Sequence, residues 1–307
     1  MLIEIEKAVE ILNAGGKVII PTETVYGLAG SIKHPNAIDS IYRLKGRPRQ
    51  NPLIVHISNM DQVVDLVKSP PQSFFDLVEC FWPGPLTLIL DANDSINKSV
   101  TGGLSTIAIR MPNHQSAIEL IDQTGPLAAP SANLSGRPSS TRHAHLENDF
   151  GGDIPVLKGD EPIYGVESTI IGWINGFWHI LRPGFLSISE IKMVLNENLS
   201  VSDKKISPGS MFKHYSPNAK LIVDESALFS VDAILGYENR LYPDHLPFYS
   251  LGRDDQPEVI AYRLYDLFRK MDDLKFSTVW IDIQLPDNDL YHVILERIKK
   301  AVSSFIV

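Results

Sequence analysis

The sequence predicts an α/β protein of two domains: a larger one with a twisted mixed sheet and helices, and a smaller one with its own strands and helices. Short apolar runs typical of buried strands alternate with helical stripes through residues 3–195. Several predicted strands are joined by short links, which favours a mixed sheet over a purely parallel one. A polar stretch at 200–218 separates this pattern from a second αβ pattern.

In the first domain, predicted at 1–199, apolar periodicity and turn residues define each element in order. The first helical stripe ends at Gly15-Gly16, and the last begins at Ser187 with Glu190 three residues on, a capping-box pattern. The predicted helices are 3–14, 36–44, 60–67, 73–81, 115–123 and 187–195. The predicted strands are 18–20, 53–57, 86–90, 106–110, 127–129, 168–172 and 178–181.

A linker is predicted at 200–218, where Ser, Lys, Pro and Gly are concentrated. Its central segment Met211-Phe212-Lys213-His214-Tyr215 is too aromatic for a passive spacer. The second domain is predicted at 219–307, with strands 221–223, 248–251 and 279–283 and amphipathic helices 259–271 and 290–302.

Composition limits the classes of partner. The formal net charge of −9 argues against stable binding to nucleic acid or to an anionic membrane, although a local basic groove stays possible. Cys80 is the only cysteine, so neither an intrachain disulfide nor a cysteine-cluster metal site is expected. The sequence shows neither a signal peptide nor an apolar stretch of roughly 20 residues, so we expect a cytoplasmic protein.

Two polar segments point to a site for an anionic small molecule. Thr22, Thr24 and Tyr26 alternate just after the apolar run Val18–Ile20, so their side chains could share one face. The segment 43–49 alternates cations with Gly46 and Pro48, which hold the backbone out of a helix and let arginine forks engage phosphate. Considered alone, each segment has an ordinary alternative: strand-edge threonines and a solvated charged loop.

Further polar clusters also sit at predicted strand ends. They are His56, the segment Ala128–Gly136 with its small hydroxyl and amide side chains, Val166–Ile170 and Leu181–Gly184. No P-loop or Rossmann glycine fingerprint is present, so a nucleotide would be held in an uncommon way. Ser131 is not in a Gly-x-Ser-x-Gly elbow and is a poor nucleophile candidate. The turn Trp82-Pro83-Gly84-Pro85 is interpreted as structural.

Together these segments closely resemble the YrdC-like family in its long, two-domain form. The matching motifs are Pro21–Leu28, Lys45-Gly46-Arg47-Pro48, Asn51-Pro52-Leu53, Trp82–Pro85, Ile109–Pro112, Ala129–Ser135, Ser168-Thr169 and Leu181–Gly184. They span nearly all of 5–195, and 208–215 resembles the family's connection between domains. The resemblance implies a sheet and helices around a concave groove, followed by a Rossmann-like second domain.

The resemblance also implies a nucleotidyl transfer in which L-threonine, bicarbonate and ATP give threonylcarbamoyl-adenylate and pyrophosphate. The product would pass to a tRNA threonylcarbamoyl-transferase complex. By similarity, Lys45 and Arg47 would act as catalytic cations. Threonine would be surrounded by Thr24, His56, Arg110, Ala129 and Ser168. ATP would be surrounded by Arg47, Asn51, Thr106, Ser131, Ser139, Arg182 and Tyr215.

This chemistry requires no protein nucleophile, because a threonine carbamate would attack the α-phosphate directly. Mg²⁺ is expected to arrive with ATP rather than in a dedicated metal site, and no prosthetic group is expected. We interpret 208–215, ending at Tyr215, as a lid over the nucleotide. Two alternatives stay open: an RNA-binding module, and a related carbamoyl-adenylate transferase domain, whose usual acylphosphatase-like and zinc-finger domains are not visible here.

Overall fold

The first domain is built on one mixed sheet. The computed structural model describes residues 1–195, 199–201 and 215–303. In chain order the strands are β1 (Leu2–Ile3), β2 (Val18–Ile20), β3 (Gly27–Ser31), β4 (Ile54–His56), β5 (Leu86–Asp91), β6 (Thr106–Arg110), β7 (Leu127–Ala128), β8 (Val156–Leu157), β9 (Thr169–Ile174), β10 (Phe177–Arg182) and β11 (Ser200–Val201). Across the sheet they run β1-β8-β2-β3-β7-β4-β6-β5-β9-β10-β11. Neighbours pair both in parallel, as in β4 with β6, and antiparallel, as in β2 with β3, which confirms the predicted mixed sheet.

Helices cover both faces of this sheet. They are α1 (Ile5–Asn13), α2 (Pro35–Lys45), α3 (Asp61–Leu66), α4 (Gln72–Phe81), α5 (Lys98–Thr101), α6 (Gln115–Thr124), α7 (His143–Phe150) and α8 (Ile188–Leu195). Alternate residues of β2 show the two faces: Val18 and Ile20 pack with α1 and α6, whereas Ile19 belongs to the larger core beneath α2, α4 and α8. The predicted capping box is present, since the Ser187 backbone N–H donates to the Glu190 carboxylate and the Glu190 backbone N–H donates to the Ser187 hydroxyl.

Strand β3 was not predicted, because Gly27-Leu28-Ala29-Gly30-Ser31 has weak strand propensity. Pairing with β2 and β7 on its two sides holds it in the sheet, and all its residues are buried. Gly30 is needed there because a Cβ would come within 3.0 Å of Ile41 on α2. Helices α5 and α7 and strands β1 and β8 were also not predicted. Strand β11 lies in the predicted linker, yet it pairs with β10, so the first sheet continues to residue 201.

The second domain is a smaller parallel sheet packed with helices. Its strands are β12 (Lys220–Ile222), β13 (Ala233–Gly236), β14 (Phe248–Ser250) and β15 (Thr278–Ile281), in the order β12-β15-β13-β14. A 3₁₀ helix covers Glu225–Ser230, and the α-helices are α9 (Pro257–Asp273) and α10 (Asp289–Ser303). The α/β character predicted for this domain is confirmed, although β13 was not predicted.

Buried charges join the two domains. Arg269 of α9, 2% exposed, lies 2.7 Å from the Asp149 carboxylate on α7 and donates to the Pro138 carbonyl. Arg297 of α10 is fully buried and reaches Glu167 in the first domain. Val166 packs inside the core of the second domain, so the two domains share apolar as well as polar contacts.

No helix in the described ranges combines the length and apolar character that crossing a bilayer requires.

The buried apolar face of α9 gives a test of packing in the core of the second domain. Leu264 is fully buried there, so Leu264→Ala removes methylenes and leaves a cavity, and we expect a loss of about 2–5 kcal/mol in the free energy of unfolding. Leu274, just beyond α9, is 45% exposed, and Leu274→Ala is the matched control with an expected change within about 0.5 kcal/mol. Denaturant unfolding of both variants measures this; equal losses would contradict the assigned packing.

Candidate functional site

A concave pocket that encloses about 760 Å³, open solvent included, lies where β2, β4, β6 and β9 begin or end. The lining residues come from segments that are distant along the chain but adjacent in the sheet. They are Thr22, Thr24, Val25, Tyr26, Gly27, Lys45, Arg47, Ile54, His56, Arg110, Ala129, Pro130, Ser131, Asn133, Ser135, Arg137, Ser139, Glu167, Ser168, Arg182 and Tyr215.

The segment between β2 and β3 is a bend rather than the extended run that the alternation predicted. The Thr22 hydroxyl donates to the Val25 carbonyl (2.6 Å) and accepts from the backbone N–H of Thr24 and of Val25. Its Oγ1 also lies 2.9 Å from the Thr24 hydroxyl. Thr22, Thr24 and Tyr26 all line the pocket, but so do Val25 and Gly27, because the bend turns neighbouring residues to the same side.

Arg110 is fixed from three directions at the end of β6. It donates through Nη1 to the Thr24 hydroxyl (2.9 Å) and through Nε to the Gly84 carbonyl (3.1 Å), so the Trp82–Pro85 turn orients this arginine. Its Nη2 lies 2.6 Å from the buried Glu23 carboxylate, in an ionic contact without hydrogen-bond alignment. The sequence had not assigned Glu23 a role.

His56 lies opposite Arg110 in the parallel pairing of β4 with β6. Burial, with a smaller contribution from the Arg110 charge, lowers the pKa of His56 from the ordinary 6.5 to about 3. The ring is therefore neutral near pH 7. Its Nδ1 is buried and has no hydrogen-bond partner within the described residues, a costly state that a bound polar ligand would relieve.

Ser168 lies between Thr87 and Arg182 in the pocket wall. Its hydroxyl lies 2.8 Å from the Thr87 hydroxyl and accepts from Arg182 Nη2 (3.2 Å). The same Nη2 donates to the Ser168 carbonyl (2.8 Å), while Arg182 Nε is buried without a partner among the described residues. Arg182 therefore has a hydrogen-bond donor that the described part of the chain leaves unused.

Two cations of the basic segment point into the pocket. Lys45 is the last residue of α2, which corrects the prediction that Gly46 and Pro48 keep it out of a helix. Its ammonium donates to the carbonyls of Ser131 (2.5 Å) and Asn133, and burial together with the Arg47 charge lowers its pKa.

The guanidinium of Arg47 is held by hydrogen bonds to the segment that follows it. It donates to the carbonyls of Asn51 (3.0 Å) and Pro52 (2.8 Å) and to Asn51 Oδ1 (2.7 Å). Burial lowers its pKa to about 10. The third cation of the alternating series, Arg49, is absent from the pocket lining: it lies 2.9 Å from Asp39 and its side chain is 62% exposed.

Two further hydroxyls, those of Ser131 and Ser139, are each held by another side chain. Ser131 Oγ donates to Asn133 Oδ1 (2.6 Å), and Ser139 Oγ donates to Glu167 Oε1 (2.7 Å).

The ring of Tyr215 is buried and stacks on Tyr265 of α9, with centroids 5.3 Å apart. The other predicted lid residues, including Met211, Phe212, Lys213 and His214, lie outside the described residues.

Two of the predicted site residues, Asn51 and Thr106, do not line the pocket. Asn51 lies behind Arg47 and holds it, as described above. Thr106 opens β6 opposite Asp91, four residues before Arg110 and roughly 13 Å away along the strand. Its contact with ATP stays a prediction.

The sequence analysis assigned no role to several lining residues: Thr22, Tyr26, Asn133, Ser135, Arg137 and Glu167. Most of them sit inside motifs already singled out. Glu167 also lies in one of these motifs, Val166–Ile170, but its carboxylate would repel an anionic ligand unless a cation neutralises it.

The comparisons with known proteins agree with this geometry. A family model described as "Telomere recombination", for the Sua5, YciO and YrdC proteins, matches residues 10–184. The chain belongs to this family. A second model, the C-terminal domain of threonylcarbamoyl-AMP synthase, matches residues 186–303 and marks the two-domain Sua5 form. The resemblance found in the sequence motifs is thereby confirmed.

Relatives of the Sua5 form are similar over most of their length. The threonylcarbamoyl-AMP synthase of Bacillus subtilis is 37% identical over 99% of this chain and 94% of the relative. That of Pyrococcus abyssi is 42% identical over 72% of this chain and 68% of the relative. The crystal structure of P. abyssi Sua5 complexed with L-threonine matches with a TM-score of 0.91 at 33% identity, over 99% of this chain and 98% of that one.

Gly184 offers a test of the Arg182 turn. A Cβ there would lie within 3.0 Å of backbone atoms of Glu167, Ser168 and Thr169, which cannot move without displacing the pocket wall. We therefore expect Gly184→Ala to weaken the affinity of this pocket for its ligand at least tenfold. Gly176→Ala, in the open β9–β10 turn where a Cβ meets nothing within 4 Å, is the control. It should lower the melting temperature through backbone strain while leaving ligand affinity intact; equal affinities in the two variants would contradict this account.

Proposed function

We propose that this chain is a threonylcarbamoyl-AMP synthase, a nucleotidyltransferase that joins L-threonine, bicarbonate and ATP into threonylcarbamoyl-adenylate and pyrophosphate. The observation that carries the proposal is that one pocket has two chemically distinct ends. Thr24, His56 and Arg110 form a buried end suited to a small amino acid. Lys45, Arg47 and Arg182 form a cationic end suited to a polyphosphate. The names of the B. subtilis and P. abyssi relatives, and the threonine in the P. abyssi structure, support the same assignment.

At the amino-acid end, Arg110 supplies positive charge for the threonine carboxylate. Glu23, Thr24 and the Gly84 carbonyl fix its guanidinium through Nη2, Nη1 and Nε respectively. Neutral His56 and the Thr24 hydroxyl offer uncharged polar contacts. Ala129 and Ser168 complete the wall, and the small alanine side chain leaves room for a substrate.

At the nucleotide end, the cations keep donors available for phosphate. An ammonium has three N–H groups, and Lys45 uses two of them on backbone carbonyls. Arg182 Nε has no partner within the described residues. Burial disfavours the charged form of each of these cations and lowers its pKa, so a bound phosphate anion would stabilise the charged form.

The chemistry follows from bringing these ends together. The threonine amine adds to carbon dioxide formed from bicarbonate, loses a proton and becomes a carbamate. A carbamate oxygen then attacks the α-phosphorus of ATP, and the bond to pyrophosphate breaks. Positioning and charge neutralisation supply the catalysis. Ser131 Oγ donates to the Asn133 side-chain oxygen rather than to a basic group, which supports a route without an acyl-enzyme.

Magnesium enters this proposal as part of the substrate, bound to the ATP phosphates. Glu167, the one acidic residue of the described pocket lining, already accepts hydrogen bonds from three side chains. The described residues also contain no group of three or more potential ligands for a protein-held ion. The adenylate product would be consumed by a transferase that modifies tRNA.

Product analysis tests the proposal directly. Purified protein with MgATP, bicarbonate and threonine is expected to release pyrophosphate and to form a species with the mass of threonylcarbamoyl-adenylate. Omitting threonine or bicarbonate should abolish both signals, because the carbamate cannot form. Mass spectrometry and a coupled pyrophosphate assay give the readout. Pyrophosphate released at the same rate without threonine would refute the assigned reaction.

The basic segment provides a matched pair of variants. Arg47→Ala removes a partly desolvated contact to phosphate, for which we expect a loss of about 2–4 kcal/mol in ATP binding. Arg49→Ala removes an exposed cation two residues away that lies outside the pocket, so its kinetics should match the wild type. The KM for ATP measures the effect on ATP use, and the melting curve shows whether each variant is folded. If Arg49→Ala were as impaired as Arg47→Ala, only the overall charge of the segment would matter.

A further inference from the structure

Glu167 is an anion placed where the proposed substrate is itself anionic. Its side chain lines the pocket and is 6% exposed as a residue, close to Ser139, Arg182 and Tyr215. An ionised carboxylate beside a triphosphate would weaken ATP binding, unless its charge is compensated from elsewhere. The compensation comes from the second domain.

Glu167 receives hydrogen bonds from both domains. Its Oε1 accepts from Ser139 Oγ of the first domain (2.7 Å). Its Oε2 accepts from the Tyr265 hydroxyl of α9 (3.1 Å) and from Arg297 Nε of α10 (3.1 Å). Burial opposes ionisation, but the Arg297 and Arg182 charges outweigh it and hold the pKa of Glu167 below its ordinary value.

Arg297 contacts two carboxylates: Nε donates to Glu167, and Nη1 pairs with the neighbouring Glu296, which Lys300 also contacts. Arg297 is fully buried, and its Nη2 donates to the carbonyl of Pro183 (2.8 Å), the residue after Arg182. Its guanidinium carbon also lies 5.0 Å from the centroid of the Tyr215 ring. A single side chain of the second domain therefore contacts Glu167, the Arg182 turn and Tyr215.

We propose that Arg297 is a positioning residue for the nucleotide end of the pocket, acting through Glu167 by neutralising its charge and keeping it turned toward Ser139. With Arg297 present, Arg182 remains free to face phosphate. Without it, Arg182 is the nearest remaining cation and is drawn toward Glu167, and ATP meets an uncompensated carboxylate. The second domain thereby completes the ATP site. This inference rests on the proposed function.

The chain offers a matched control. Arg269 is equally buried in the same interface and also pairs with a carboxylate, Asp149, but Asp149 does not line the pocket. Arg297→Met and Arg269→Met should therefore both lower the melting temperature. Only Arg297→Met should also weaken ATP binding, by tenfold or more, while threonine affinity stays within about twofold of the wild type. Calorimetric titration of the full chain with MgATP and, separately, with threonine measures this.

A second substitution separates charge from structure. Adding Glu167→Gln to Arg297→Met removes the uncompensated carboxylate, so ATP affinity should recover to within about threefold of Glu167→Gln alone. This comparison also serves if Arg297→Met by itself is too unstable to assay. The inference is overturned if folded Arg297→Met binds ATP normally, if ATP and threonine affinities fall together, or if the double variant stays impaired. Failure of the wild type to bind ATP would instead refute the proposed function.

Discussion

One end of the pocket depends on burying three cations without a direct salt bridge to a carboxylate of the described residues. Lys45, Arg47 and Arg182 satisfy their hydrogen bonds mainly with backbone carbonyls, together with an asparagine amide and a serine hydroxyl. Carbonyl dipoles orient a cation but do not neutralise it, so the positive charge stays available to a ligand. The lowered pKa values of these groups are the cost of that arrangement. Where a buried arginine is instead paired with a carboxylate, as for Arg110, Arg269 and Arg297, the pair fixes geometry.

Much of the fold could be predicted, because apolar runs at strand and helix spacing dominate it. Strands β2 and β6 were predicted with their observed bounds, since Val18–Ile20 and Thr106–Arg110 are short apolar runs rich in β-branched residues. Strand β3 could not be predicted, because its small residues carry no strand signal and only pairing with β2 and β7 holds it in place. Strands β8 and β11 span only two residues each, too few for an alternating pattern to be recognised.

The site was predictable where motifs are local and less so where contacts are distant. Alternation in the basic segment could not show that Lys45 and Arg47 turn inward while Arg49 turns to Asp39, since that depends on where α2 ends. The role of Glu23 depends on Arg110, 87 positions along the chain. Arg297 had no motif at all: it was one charged position in an amphipathic helix, and only tertiary packing brings it to Glu167.

The shared core around Val166 and the contact between Glu167 and Arg297 also bear on the order in which the chain matures. Glu167 is translated 130 residues before the arginine that neutralises it. Domains generally fold as units during synthesis, with the first domain folding first. The amino-acid end of the pocket can therefore form while the ribosome is still making α9. The end of the pocket proposed to bind nucleotide acquires its charge balance only when α10 has emerged and docked against Glu167.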